Sequence, residues 1–300
     1  MKKLTTAAIA ALAFSAAPAL AADLPVKAAR MAAPQPPAWD IAFGAAIAND
    51  YVWRGITQSA HRPSVAGYFE PRYSINKDLY IYAGMGGASI KFPNGAAAEI
   101  DFYGGFRPTF GPFAFDFGVW YYYYPGGESS YVTDNFGVIT ALSHASFIEG
   151  YGKLNYTIND SVSVGANVYY TPSYLQTGAS GVYYSGTIKF TGTAGLLPGG
   201  AVPYLSGEVG RQELGTTKAD GVVYVAPVDL QSYTTWNVGV GWTWKVFTVD
   251  LRYTDTDLSK TDCGIITGDP HSSILGESNW CGSRFIARLS ADLTVKDNLK

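Results

Sequence analysis

Inside the strand-like stretches of this chain, charged residues keep to one side of an alternating pattern, apart from a few at stretch ends. The segment Trp39 to Trp53 shows it. Trp39, Ile41, Phe43, Ala45, Ile47, Tyr51 and Trp53 share one phase, and Asp40, Gly44, Asp50 and Arg54 share the other. Successive side chains on a strand point to opposite faces, so this is a strand with one apolar and one wet face. The pattern recurs about twelve times, in stretches of about 10–12 residues. That length suits a strand crossing a bilayer at a tilt, whereas strands in soluble sheets average about 5–6 residues.

The expected strands run over 39–53, 65–75, 79–90, 99–110, 113–124, 146–158, 161–171, 181–191, 201–211, 233–244, 246–256 and 283–294. Their connections alternate in length. Short ones lie at 76–78, 111–112, 159–160, 193–200 and around Lys245, and long ones at 54–64, 91–98, 125–145, 172–180, 212–232 and 257–282. Bacterial barrels place short turns in the periplasm and long loops outside. The fold class that follows is all-β: a transmembrane, antiparallel, up-and-down β-barrel over 39–295 with about 12 strands, or 10 or 14 if one hairpin is misread.

One phase is apolar throughout, as in Phe113, Phe115, Phe117, Val119, Tyr121 and Tyr123, or in Trp236, Val238, Val240, Trp242 and Trp244. The opposite phase carries Glu70, Arg72, Glu99, Asp101, Arg107, Asp116, Glu149, Lys153, Lys189, Glu208, Asp250, Arg252, Arg284 and Arg288, the candidate pore-lining set. Arg or Lys at mid-bilayer costs about 2–4 kcal/mol, so a lipid face excludes it. Arg211 and Asp255 break phase, but both fall at strand ends near water. A soluble β-sandwich also alternates, yet its strands are short and its apolar face points inward. Aromatics at the strand ends (Tyr51 and Trp53, Tyr121 to Tyr124, Tyr169 and Tyr170, Trp242 and Trp244) fall where interfacial girdles belong. Pro71, in mid-strand, is expected to sit at a bulge.

The N-terminus is that of an exported chain. Lys2 and Lys3 precede an apolar run, and Ala19-Leu20-Ala21 offers a small-x-small cleavage site, giving a signal peptide over 1–21. An Ala- and Pro-rich lead-in follows over 22–38, and a short tail over 296–300 closes the chain. The net charge of −3 has no basic block, which argues against nucleic acid as a partner. Cys263 and Cys281 lie in one loop, and in an exported protein a disulfide is the expected state.

The sequence offers no catalytic set, metal site or cofactor motif. His144-Ala145-Ser146 is the one place to look for a lipid hydrolase, but no orienting third residue shares its phase. Asp255-Thr256-Asp257 lacks the regular oxygen-ligand spacing of a calcium loop.

The segment NDYVWRGITQS (Asn49 to Ser59) resembles the opening of the TorF-type porin family, whose first strand runs into a Tyr-Val-aromatic-Arg-Gly-Ile-Ser/Thr-Gln motif. Here that motif is Tyr51, Val52, Trp53, Arg54, Gly55, Ile56, Thr57 and Gln58. Glu99 to Gly105 and Tyr122 to Gly126 are also similar to that family, and the likeness covers most of 40–170. The stretch Ala22-Asp23-Leu24-Pro25 resembles the mature start of small outer-membrane proteins of alphaproteobacteria. The resemblance implies an outer-membrane barrel with a pore role. The ending Asp297-Asn298-Leu299-Lys300 departs from the terminal aromatic that barrel-assembly machinery reads.

About eight strands leave a packed interior and about 16–18 an open channel, so twelve falls between. The expected function is passive diffusion of small hydrophilic solutes or ions across the outer membrane. Outer-membrane lipid and the barrel-assembly machinery are the expected partners. The alternative is a non-conducting structural or surface-interaction barrel, and a lipid hydrolase comes third.

Overall fold

In the computed structural model, which describes residues 38–127, 130–133, 139–142, 144–219 and 226–299, the strands are as follows. In chain order they are β1 (Trp39–Ala48), β2 (Val52–Trp53), β3 (Ile56–Thr57), β4 (Ser64–Asn76), β5 (Leu79–Ser89), β6 (Ala98–Phe110), β7 (Phe113–Tyr123) and β8 (Ser130–Thr133). Then come β9 (Ile139–Leu142), β10 (Phe147–Asn159), β11 (Val162–Thr171), β12 (Gly181–Thr191), β13 (Val202–Leu214), β14 (Tyr233–Trp244), β15 (Phe247–Thr256) and β16 (Arg284–Thr294). Helices α1 (Lys260–Thr267) and α2 (Ser272–Leu275) lie between β15 and β16, and α3 (Val295–Asn298) follows β16.

Twelve of these strands close into one barrel in the order β1-β16-β15-β14-β13-β12-β11-β10-β7-β6-β5-β4. Each neighbour is antiparallel, and β1 pairs with both β16 and β4, so the barrel has no free edge. The hairpins β2–β3 and β8–β9 stand outside the barrel ladder. The expected leader, and all but the last residue of the lead-in, lie outside the described residues.

The apolar phase faces outward. Val168, Val238 and Val240 are about half exposed, beside Phe117, Val119, Leu205 and Leu251. A soluble core would bury these side chains; a barrel in lipid presents them to hydrocarbon. The fourteen candidate pore-lining charges turn inward, and nine of them are buried.

Four local readings need correction. The first strand does not run to Trp53: the wall ends at Ala48, and the chain folds back as β2–β3. Tyr51 therefore leaves the expected interfacial girdle and is buried, while Trp53 packs against the buried Tyr122, Phe147 and Tyr174. The expected girdle also loses Tyr122 and Tyr124, which are buried, and Tyr169, which turns into the lumen against Arg54; Tyr121, Tyr123 and Tyr170 stay outside. Pro71 makes no bulge. The ladder between β4 and β5 is interrupted at Glu70 and Pro71 but resumes in the same register, Phe69 opposite Met85 and Arg72 opposite Tyr82; the register shift lies further on, between Ser74 and Asn76. Finally, the last long loop contains helix. Ser259 caps α1, its hydroxyl accepting from the Asp262 amide at 3.1 Å, as an N-cap serine should. Cys263 of α1 is bonded to Cys281 just before β16, closing a sequence separation of 18 residues.

The two faces can be tested on one strand. Val240, outward at the middle of β14, is expected to cost about 2–4 kcal/mol in lipid-vesicle refolding when changed to Arg. Asn237→Arg, on the inner face, gives up hydrogen bonds to Glu208 and Arg252, each worth about 1 kcal/mol, but gains an ion pair with Glu208. It should cost clearly less. Equal shifts in the refolding midpoint would mean the faces are reversed.

Candidate functional site

The lumen is built from three sets of residues, and the first is the hairpin the sequence hid inside strand one. Arg54 and Gly55 form its two-residue turn with φ of 48° and 81°. Positive φ at both central positions defines the turn that best matches the twist of a two-residue hairpin. At Gly55 a β-carbon would lie 2.3 Å from Thr256 and 2.5 Å from Thr235, so glycine alone lets the tip press against β14 and β15.

From that tip Arg54 reaches across the barrel. Its guanidinium donates from Nη1 to Glu149 Oε1 at 2.9 Å and from Nη2 to Glu149 Oε2 at 2.7 Å, a bidentate pair with β10. Nη1 also donates to Gln212 Oε1 of β13 at 2.9 Å. Trp53, Tyr183 and Tyr169 surround it, their ring centroids 4.1, 4.4 and 4.9 Å from the guanidinium carbon. Arg54 is 5% exposed, Glu149 1% and Gln212 0%. The hairpin is fastened at its base as well. Asp50 accepts from Thr57 Oγ1 at 2.5 Å, Ser59 Oγ at 2.8 Å and Arg284 Nη1 at 2.9 Å. Thr57 N donates to Trp280 O at 3.0 Å, beside the disulfide. Arg284 thus clamps two long loops together at the barrel mouth.

The second set fills the wall of β4 to β10. Glu70 accepts from Arg72 Nε at 2.6 Å and from Arg107 Nη1 and Nη2 at 2.7 and 3.2 Å. Arg107 Nε donates to Asp116 at 3.0 Å, and Lys153 Nζ lies 4.0 Å from the same carboxylate. The Tyr82 hydroxyl bonds to Asp116 and meets that of Tyr151. Tyr103 stacks on Trp120 at 4.2 Å. Little space is left on this side.

The third set lines the opposite wall and leaves room. Asp250 accepts from Tyr204 Oη at 2.5 Å and from Arg252 at 3.0 and 2.9 Å. Arg252 also donates to Asn237 Oδ1 at 2.5 Å and Ser206 Oγ at 2.8 Å. Glu208 accepts from Tyr183 Oη at 3.0 Å. Lys189 Nζ sits 4.3 Å from the Tyr204 ring centroid. These residues, with Arg288, Ser290 and Asp292 of β16, border a cavity of about 200 Å³ that also touches Arg54 and Gly55.

The fourteen candidate pore-lining residues thus divide. Glu70, Arg72, Arg107, Asp116 and Lys153 form the packed network, and Glu149 holds the hairpin. Arg284 clamps the mouth. Lys189, Glu208, Asp250, Arg252 and Arg288 border the open cavity, and Glu99 and Asp101 border a smaller one beside it. The sequence pattern missed Arg54 as the partner of both Glu149 and Gln212. The turn's glycine after an arginine was the available signal, because it interrupts a strand that otherwise keeps its alternation. At the hydrolase candidate, Ser146 is buried and its hydroxyl accepts from Tyr124 N at 3.1 Å, while His144 is exposed. Among the described residues no cluster of His, Cys, Asp and Glu could hold a metal ion.

The fold and this lumen define a closed, twelve-stranded transmembrane barrel whose own first hairpin is latched inside. Residues 32–283 match the family described as "Bacterial protein of unknown function (Gcw_chp)", and the chain belongs to that family. No curated protein matches the sequence. Among solved structures, an outer-membrane channel from Pseudomonas putida F1 aligns at 11% identity over 87% of this chain and 97% of its own, with a TM-score of 0.45. KdgM porin aligns at 8% identity over 84% and 98%, with a TM-score of 0.41. LpxR from Salmonella typhimurium does so at 9% identity over 84% and 99%, with a TM-score of 0.40.

Removing one member of the latch tests its burial. Arg54→Ala leaves Glu149 buried without its cation and is expected to lower stability by about 3–5 kcal/mol, read from the urea midpoint in detergent. The double change Arg54→Met with Glu149→Gln should recover most of that loss. A single change as mild as a surface substitution would mean that the pair is solvated.

Proposed function

We propose that this chain forms a passive channel in the bacterial outer membrane for small hydrophilic solutes or ions, narrowed by the β2–β3 hairpin. The observation that carries this reading is the cavity along β12 to β16. Charged and hydroxyl groups of β12 to β16 border it, with alanines of β1, β4 and β5 on its other side, and it runs beside a wall that is otherwise packed. A barrel serving only as a scaffold has no need to keep polar space on one side, since apolar filling of the same volume is at least as stabilising as buried ion pairs. The likeness of Asn49 to Ser59 to TorF-type porins points the same way.

A second reading rests on the latch. Arg54 spans from the hairpin to β10 and β13, and a lumen braced in this way suits a non-conducting structural barrel whose long loops carry the function.

Purified protein in a planar bilayer decides between them. Discrete conductance steps are expected for the wild type, with larger steps or fewer closures for Arg54→Ala. An electrically silent wild type and a silent Arg54→Ala would leave the structural barrel as the function.

A further inference from the structure

One stretch of the inner wall carries only small side chains. Ala46 of β1 lies in register with Ala66 of β4, and Ala66 with Ala88 of β5. Ala88 is in turn opposite Glu99 of β6, while on the other flank Ala48 of β1 is opposite Arg288 of β16. The alanines floor a groove, a cavity of about 50 Å³ bordered by Glu99 and Asp101 at one end and Arg288 at the other.

The two ends carry ionisable groups of opposite kind, carboxyls at one and a guanidinium at the other; Arg288 has Asp250 opposite it on β15 and Asp292 further along its own strand. Glu99 and Asp101 sit two apart on β6, so both point inward, and they are 3% and 4% exposed. Glu99 accepts from Tyr51 Oη at 2.6 Å. Asp101 Oδ1, the Tyr103 hydroxyl and the Trp120 indole N–H, which border the same groove, make no hydrogen bond of ordinary geometry, although Trp120 lies beside the Asp101 carboxyl. Among the described residues, the ion pairs of the lumen join Arg54, Arg72, Arg107, Lys153 and Arg252 to other carboxylates, and none involves Glu99, Asp101 or Arg288. Asp292, also at the groove, is occupied by Tyr68 Oη at 3.1 Å and Ser290 Oγ at 3.2 Å.

Buried polar groups left without partners are costly, and a site of this kind is completed by a ligand that supplies them. We propose that the groove holds a small zwitterion, such as a free α-amino acid, with its ammonium against Glu99 and Asp101 and its carboxylate against Arg288. A bare metal ion fits poorly, because Arg288 shares the cavity and no metal-holding cluster is present among the described residues. A simple anion would face two carboxyls at close range. A neutral sugar would leave both charged ends unmatched. The proposal deepens the channel reading and rests on it for transport, though not for binding.

Two measurements separate the site from the channel. The first is swelling of proteoliposomes in L-serine against erythritol, a neutral solute of similar size. Serine is expected to enter several-fold faster. The ratio should fall towards one in Arg288→Gln and in Asp101→Asn, and stay near the wild-type ratio in Arg288→Lys, which keeps the charge. Heat-modified gel mobility confirms that each variant is folded. Equal rates for both solutes in wild type overturn the site and leave the channel standing. Swelling in neither solute removes the channel, and the second measurement then decides the site alone: titration calorimetry of serine into detergent-solubilised protein. Saturable heat that is lost in Arg288→Gln supports the site, and absence of heat in wild type overturns it.

Discussion

Hydrocarbon offers no hydrogen-bond partner to a peptide group, so each membrane strand must find both its neighbours within the chain. The pairing of β1 with β16, from Ala42 opposite Thr294 to Ala48 opposite Arg288, is what completes this circuit. Without it two strands would present open edges to lipid. Once the sheet is closed, the side-chain alternation has a fixed meaning, because one phase must face lipid and the other must face the lumen. The charges then have only one place to go, and the interior must accommodate them. The tail after β16 is tied in at the same seam: Asp40 near the start of β1 accepts from the Lys296 amide at 3.0 Å.

Twelve strands enclose more space than their own inward side chains fill, and this chain fills it unevenly. On β6, β7 and β10 the inward residues are large, and Tyr103, Trp120, Tyr122 and Tyr151 are all buried. On β1, β4 and β5 a run of small residues faces inward: Ala46, Ala48, Ala66, Gly84, Gly86 and Ala88. The hairpin takes up part of the difference, placing Tyr51, Trp53 and Arg54 among the aromatics of β7, β10 and β11. What remains is the polar space along β12 to β16 and the alanine-floored groove. The asymmetry is written in residue size, and it decides where the lumen keeps open space.

The barrel was legible in the sequence for a physical reason. A lipid face cannot tolerate a stray charge, so alternation is enforced along every strand, and loop lengths alternate because the turns at one end are tight. The hairpin was not legible. Asn49 to Arg54 keep alternating after the wall ends at Ala48, since a segment folded into the lumen also has one side packed on aromatics and one on polar groups. Period alone does not tell these cases apart. The same limit explains Tyr122, which reads as part of an interfacial cluster and instead donates to Glu149 at 3.1 Å. Helix α1 was missed because a cap and two turns give too short a run for helical periodicity to emerge.

The latch itself is not stabilised mainly by its charges. Bringing Arg54 and Glu149 out of water costs several kcal/mol per ion, and their attraction roughly offsets that cost when the geometry is bidentate. If the hairpin withdrew as a unit, both groups would regain hydration, so the ion pair contributes little to the difference between the seated and the withdrawn hairpin. What does differ is the aromatic packing. Trp53 stacks on Tyr174 with centroids 6.2 Å apart and meets Tyr122 and Phe147 edge-on, and that apolar contact has no equivalent in water. The ion pair instead fixes where the hairpin sits, because a buried Glu149 rejects any seated register that does not bring a cation to it. Affinity of the hairpin for the lumen therefore resides in Trp53, and its position in Arg54. The clamp of Asp50 by Arg284, next to the Cys263–Cys281 disulfide, limits how far its base can move.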